Sequence, residues 1–337
     1  MKHTAIIKKR WSKKKRIISI ILSCLVLLAA FIFLKNGPLF VTRHSGKPFL
    51  LANGGLSQAY SSVGLTNQTC TAARIFPPTH PYLENTIASM KAAFQLGANI
   101  VEFDIQPTKD GQFAVFHDGT LDCRTNGKGT TSDYTLAQLQ KLDIGYGYTA
   151  DGGKTFPFRG KGIGLMPSLD EVLKTFPDQQ LLIDMKSNDP QEGIQLARVL
   201  SVLPQSRQKL LTVEGGDKPI DALRQRLPQL RVTSKAIIED CVVQYSALGW
   251  SSYVPDACRH IELLLPDKFA PWLWGWPNRF LDRMDANDTR VVLEKGNGSE
   301  EFSSGFDSPA DLKRLPPGYT GGIWTNRIDQ IAPMFSR

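Results

Sequence analysis

The chain has 337 residues and a formal net charge of +8, long enough to bury a full core as one large domain or two average ones. Eight of its 40 basic residues (Lys2, Lys8, Lys9, Arg10, Lys13, Lys14, Lys15 and Arg16) stand at the very N-terminus with no acid among them, and removing them leaves 32 basic against 32 acidic side chains. The rest is neutral, which excludes a basic nucleic-acid footprint spread over the folded part.

Ile17 to Leu34 follows the basic run without a charge, with Ser19, Ser23 and Cys24 as its polar members. At 1.5 Å per residue the stretch is about 27 Å long, close to the hydrocarbon thickness of a bilayer. A cleaved signal peptide usually has a shorter apolar region and a small-x-small site, and Phe31-Ile32-Phe33-Leu34-Lys35 offers none. The reading is an uncleaved signal anchor: residues 1–16 a basic cytoplasmic tail, 17–34 the transmembrane helix, 35–47 a stalk carrying Gly37, Pro38 and Gly46, and 48–337 one domain outside the membrane, periplasmic or extracellular. Cys24 falls in the span, which leaves Cys70, Cys123, Cys241 and Cys258 in the exported part. They allow three pairings, and Cys70 with Cys123 and Cys241 with Cys258 is the preferred one.

Nine short apolar runs follow: Pro48 to Asn53, Asn99 to Ile105, Phe113 to His117, Gln180 to Met185, Lys209 to Val213, Arg231 to Lys235, His260 to Leu265, Arg290 to Leu293 and Gly322 to Thr325. Helical periodicity lies between several of them, as in Glu84 to Leu96 and Pro190 to Leu203. Alternation of this kind predicts an α/β fold with the parallel sheet closed into a TIM-type β/α barrel. One run is surplus to eight, and the turn Thr108 to Gly111 is too short for a parallel crossover between the second and third.

The chemistry concentrates in Glu84-Asn85-Thr86, Glu102-Phe103-Asp104, Thr108-Lys109-Asp110-Gly111 and His117-Asp118. Strand residues two apart face one side, so Glu102 and Asp104 aim two carboxylates at one point, and Asp184 with Lys186 repeats the spacing. Oxygen donors gathered in this way suit a hard divalent cation, Ca²⁺ or Mg²⁺, held against a phosphate.

Taken together, ENT, ExD, TKDG, HD and a strand ending in acid-x-Lys resemble the glycerophosphodiester phosphodiesterase family over about Leu50 to Lys186, and again at Gly322 to Arg327. The resemblance implies a barrel with one metal on Glu102, Asp104 and Asp184, His117 as catalytic acid or base, Lys186 on the phosphate charge, Glu84 organising the site, and Trp324 beside the substrate on the last strand. The implied reaction is metal-dependent hydrolysis of a glycerophosphodiester or related lipid-derived diester to an alcohol and a glycerol phosphate, or to a cyclic phosphate. The family's first-strand His-Arg-Gly is replaced by Asn53-Gly54-Gly55, which removes a proton carrier and a cation. The alternative reading is therefore a catalytically impaired barrel that binds phosphodiester or phospholipid ligands without turnover. Partners are small phosphodiesters and the membrane, with no nucleic acid.

Among residues set aside, His80 is a loop histidine able to stand in for the missing one, and His44 and His260 read as surface or packing residues. Gly147 to Thr155 is one residue too long for a phosphate-binding loop and reads as a rim loop. Trp272, Trp274 and Trp276 read as loop packing.

Overall fold

The computed structural model describes residues 13–37, 46–61, 63–66, 69–297 and 304–335. Most of the basic tail, the greater part of the stalk and His44 lie outside the described residues. Helix α1 runs from Lys13 to Asn36, spans 24 residues, has a mean hydropathy of 3.1 over its most apolar 18-residue window and buries none of its side chains in the protein.

All nine apolar runs form strands: β1 (Phe49–Asn53), β2 (Ile100–Pro107), β3 (Phe113–Val115), β4 (Gln180–Met185), β5 (Leu211–Gly215), β6 (Arg231–Thr233), β7 (Glu262–Pro266), β8 (Arg290–Glu294) and β9 (Gly322–Thr325). Eight of them are parallel in the order β6-β5-β4-β2-β1-β9-β8-β7, and a parallel bridge from Val232 to Ile261 brings the two edges together into a nearly closed barrel. The surplus strand is β3, which folds back antiparallel on β2 after the short Thr108 to Gly111 turn. The crossover helices include α2 (Ile87–Leu96), α3 (Leu169–Thr175), α4 (Pro190–Ser201), α5 (Asp217–Arg224), α6 (Lys235–Leu248) and α7 (Asn278–Asp285).

Helix α2 starts three residues later than its periodicity predicts, because Thr86 caps it in a reciprocal pair with Ser89. Glu84 and Asn85 are thereby left in the turn ahead of the helix, where Asn85 takes a left-handed φ of 59°. Along the strands, inward-facing residues form tiers. At the foot, where the strands begin, Arg290 donates to Glu262 on β7 and Thr212 on β5, each at 2.7 Å, and also to Gln180 on β4. Above lies an apolar tier of Leu51, Ile100, Leu182, Leu264, Val292 and Trp324. The acids occupy the top, at the carboxyl ends of the strands, where barrels of this kind place their sites.

Two excursions cover part of that mouth: the connection from Leu56 to Leu83 and the segment between β3 and α3. They share a small core of their own that includes Leu121, Leu139, Tyr148, Phe158 and Met166. The Cys70–Cys123 disulfide ties the two excursions together, and Cys241–Cys258 ties α6 to the turn before β7. Both bridges are the preferred pairing. Of the three loop tryptophans, Trp274 and Trp276 pack against the main core, whereas Trp272 is 84% exposed, which corrects the packing expectation for that residue. His260 bonds Asp288 at 2.5 Å at the foot, a packing role.

Closing a loop of 53 residues constrains the unfolded chain by about 4 kcal/mol in the loop-entropy account. The double variant Cys70→Ser/Cys123→Ser is expected to lose stability on that order in denaturant titration of the full chain in detergent. Its amide exchange is expected to rise first in residues 69–83 and 116–167.

Candidate active site at the barrel mouth

Glu102 and Asp104 leave β2 on one face, and strand register sets Asp104 beside Asp184 on β4. One oxygen from each of Glu102, Asp104 and Asp184 lies within 4.8 Å of the others, and both β2 acids are buried. Each is held by a residue that the fold brings beside it from another part of the chain. The Gly54 amide donates to Glu102 Oε2 at 2.9 Å. Asn85 brackets Asp104, donating from Nδ2 to Oδ2 at 2.7 Å and accepting the Asp104 amide on Oδ1 at 3.0 Å.

Lys186 places its ammonium 2.8 Å from Asp104 Oδ1 and 2.6 Å from Asp184 Oδ2. Burial works against its charge, but Asp104, Asp184 and Glu102 outweigh burial and hold the ammonium protonated well above the ordinary lysine range. Burial likewise opposes ionisation of Asp104, yet Lys186 and His117 draw its carboxyl down to about 2. Burial and repulsion from Asp104 push Glu102 well above the usual carboxylate range. A single ammonium therefore balances three acids incompletely. Hard oxygen donors at this spacing, left with more negative charge than one ammonium balances, fit a Ca²⁺ or Mg²⁺ ion, whose ligands stand at about 2.0–2.6 Å.

Beside the acids opens a small cavity lined by Asn53, Gly54, Ser57, Tyr60, Thr71, Glu84, Asn85, Asp104, His117 and Arg124. His117 Nδ1 donates to Asp118 Oδ1 at 2.7 Å, so proton exchange with a ligand falls to Nε2. Asn53 donates to Asn326 Oδ1 at 2.7 Å, and Asp307 fixes Asn326 through its amide at 2.7 Å and its side chain at 3.0 Å.

Arg124 carries no local motif and was not singled out in the sequence. It is buried in the cap and reaches Glu84 at 2.8 Å, Asp118 at 3.0 Å, Tyr148 at 2.7 Å and Thr71 at 2.7 Å. Its guanidinium thus orients Glu84 and, through Asp118, His117. Burial opposes ionisation of Asp118, but Arg124 and His117 prevail and hold its carboxyl at about 2. Glu214 on β5 is a second residue missed. It stands in register with Asp184, and burial together with Asp184 and Glu294 pushes its carboxyl well above the ordinary range.

Of the residues expected at the substrate, Lys186 joins the acids without lining the cavity and Trp324 is not brought to it, nor is the loop histidine His80. Trp324 is buried in the apolar tier beneath the cavity, and Asn326, two residues further on, reaches the wall instead. His80 is held by Gln58, whose Nε2 donates to its Nδ1 at 3.1 Å, and does not line the cavity. The Gly147 to Thr155 segment belongs to the cap, with Tyr148 in its core and Asp151 accepting from the Lys154 and Thr155 amides.

Because the folded pKa of Asp118 lies below its ordinary 3.8, the stability it contributes is complete above about pH 4 and is lost as the pH falls toward 2. Asp118→Asn is expected to lose about 2 kcal/mol near neutrality, and to flatten that acid limb, as read by urea unfolding at neutral and acid pH.

Residues 74–223 match the Glycerophosphoryl diester phosphodiesterase family. A glycerophosphodiester phosphodiesterase of Caldanaerobacter subterraneus is 43% identical over 103 residues, which is 31% of this chain and 39% of that protein. The chain spans about two-fifths of the length of the first bacterial relatives it matches. Lysophospholipase D GDPD1 of Rattus norvegicus is 30% identical over 254 residues, covering 67% of this chain and 76% of that protein. A crystal structure of a glycerophosphoryl diester phosphodiesterase from Parabacteroides distasonis superposes with a TM-score of 0.56 at 17% identity over 92% of this chain and 91% of that one, a likeness of fold. With a relative matched over three-quarters of its length and the acids of the motif gathered at the barrel mouth, the chain belongs to the glycerophosphoryl diester phosphodiesterase family.

Proposed function

We propose that the chain is a membrane-anchored phosphodiesterase that cleaves glycerophosphodiesters, or related lipid-derived diesters, by attack of water to give an alcohol and a glycerol phosphate, or by attack of the substrate's own adjacent hydroxyl to give an alcohol and a cyclic phosphate. The observation that carries this reading is the juxtaposition of the Glu102, Asp104 and Asp184 oxygens with a cavity walled by His117, Asn53 and Glu84. In it, Glu102, Asp104 and Asp184 hold one Ca²⁺ or Mg²⁺ ion. When bound, the ion supplies neutralisation of the phosphoryl oxygens and acidifies a nucleophilic hydroxyl.

The remaining roles belong to the chain. Lys186 balances charge on the phosphate, sharing with the acids an ammonium that already sits among them. His117, oriented by Asp118 and Arg124, passes a proton from Nε2 to the leaving oxygen. Glu84 is fixed by Arg124 at the cavity wall, and Asn53 offers its amide to a phosphoryl oxygen. With Asn53 where the family has histidine, one proton transfer lacks a side-chain carrier, and general acid–base groups are worth about 10²- to 10⁴-fold each. The anchor reading is supported by the length and apolarity of α1 and by the basic residues ahead of it, which the positive-inside rule keeps cytoplasmic while the barrel is exported.

Ca²⁺ or Mg²⁺ is expected to raise the unfolding temperature of the full chain, and Glu102→Gln to abolish that shift; no shift with either ion would remove the metal from the reading. Turnover of glycerophosphodiesters is expected to be slow in the natural chain and lost in His117→Ala. Asn53→His is expected to raise it by about 10²-fold or more. Ligand binding without turnover in both the natural chain and Asn53→His would leave the barrel a binding module.

A further inference from the structure

The carboxyl end of α1 is bolted to the barrel at one place. Arg283 of α7 donates from Nη2 to the Lys35 carbonyl at 2.8 Å and from Nη1 to Asn36 Oδ1 at 3.0 Å. Arg279, one turn earlier, donates to the Gly37 carbonyl at 3.0 Å, and Asn36 Nδ2 donates to the Trp250 carbonyl at 2.8 Å. The Trp250 ring meets Phe31 edge-on, with centroids 6.3 Å apart. Arg283 is itself fixed from behind by Tyr245 Oη at 2.8 Å, the Gly249 carbonyl at 3.1 Å and Ser252 Oγ at 2.9 Å. A cation on the last carbonyls of a helix satisfies groups that the helix leaves open and complements its dipole.

These contacts fix a height as well as a place. The apolar run of α1 ends at Leu34, and Lys35 is its first charge. In a membrane span that step marks the edge of the hydrocarbon, so Arg283 stands at headgroup level, and Trp250, packed on Phe31 four residues back, reaches about 6 Å deeper. Two large side chains on the same turn are uncovered, Leu248 exposed to 43% and Tyr253 to 49%, with Ser251 and Ser252 between Trp250 and Tyr253.

The same contacts fix an orientation. Helix α6 starts at the top of β6 and ends at Leu248, so the turn carrying Trp250 and Tyr253 lies at the foot of the barrel. Residues of α7 line the foot cavity together with Phe49, Gln180 and Arg290 from the strand beginnings. The acids and His117 are at the opposite end, about 17 Å away along a five-residue strand.

On the reading of α1 as a membrane anchor, we infer that the foot around Leu248, Trp250 and Tyr253 is a surface seated in the lipid headgroup layer. Arg283 clamps it to the anchor, so that the active-site mouth opens away from the bilayer. The substrate then arrives from the aqueous side, as a water-soluble or polymer-borne phosphodiester rather than a lipid lying in the same leaflet.

The test uses the full chain with Cys24→Ser, carrying a single new cysteine at Tyr253→Cys (foot) or Lys218→Cys (start of α5, at the mouth end), each labelled with an environment-sensitive fluorophore. The labelled chains are reconstituted in phosphatidylcholine–phosphatidylglycerol vesicles containing a lipid spin-labelled near its headgroup. Quenching several-fold stronger at the foot than at the mouth is expected, and Asn36→Ala, which removes the side-chain contacts to Arg283 and Trp250, is expected to weaken it. Equal quenching at both positions, stronger quenching at the mouth, or a foot label shielded from both the lipid quencher and aqueous iodide would overturn the inference, the last by pointing to a protein partner. Release of the chain by alkaline carbonate would instead sink the anchor reading itself.

Discussion

Three carboxylates and one ammonium crowded at the top of a barrel form the interaction on which the rest of the molecule depends. Glu102 and Asp104 are buried, and Lys186 brings a positive charge into direct contact with Asp104 and Asp184. Buried charges persist only where paired and hydrogen-bonded. The surroundings comply: the Gly54 amide serves Glu102, and Asn85, in a left-handed turn, serves Asp104. Even so, the balance stays negative, which is the condition under which a cation is welcome.

The cap meets the same need for charge on the other side of the cavity. Arg124 enters from an excursion stapled by Cys70–Cys123, so a covalent link far from the acids governs where a guanidinium stands. The resemblance read from the sequence implies an arginine where this chain has Gly54. Here Gly54 adopts φ +64°, and a Cβ added there would come within 3.2 Å of Glu84 Cβ. The first strand brings no cation to the cavity, and Arg124 from the excursions supplies one. Arg124 spends its donors on Glu84, Asp118, Tyr148 and Thr71, which makes it a positioning residue.

Asn53 carries no comparable replacement. Its amide is tied to Asn326, and Asn326 to the carboxyl group of Asp307, so two side-chain amides fix the geometry but carry no proton near neutrality. His80 is occupied by Gln58 and sits outside the cavity wall. The site therefore gathers acids at the spacing a cation needs and is sparse in groups that move protons.

The nine strands were legible in the sequence because each is a short apolar run bounded by turn residues, and the acids because strand periodicity is local: residues two apart share a face whatever the rest of the chain does. The apolar length of α1 was legible for the same reason, and the preferred cysteine pairing agrees with the bridges found. Only the tertiary structure could identify β3 as the surplus strand, since a three-residue run looks the same whether it joins a barrel or folds back on its neighbour. Likewise, it alone brought Arg124 and Glu214 toward the site and buried Trp324 beneath it. A residue's distance from a catalytic group is set by strand register and loop path, and neither is written in the residues that happen to lie beside it in the chain.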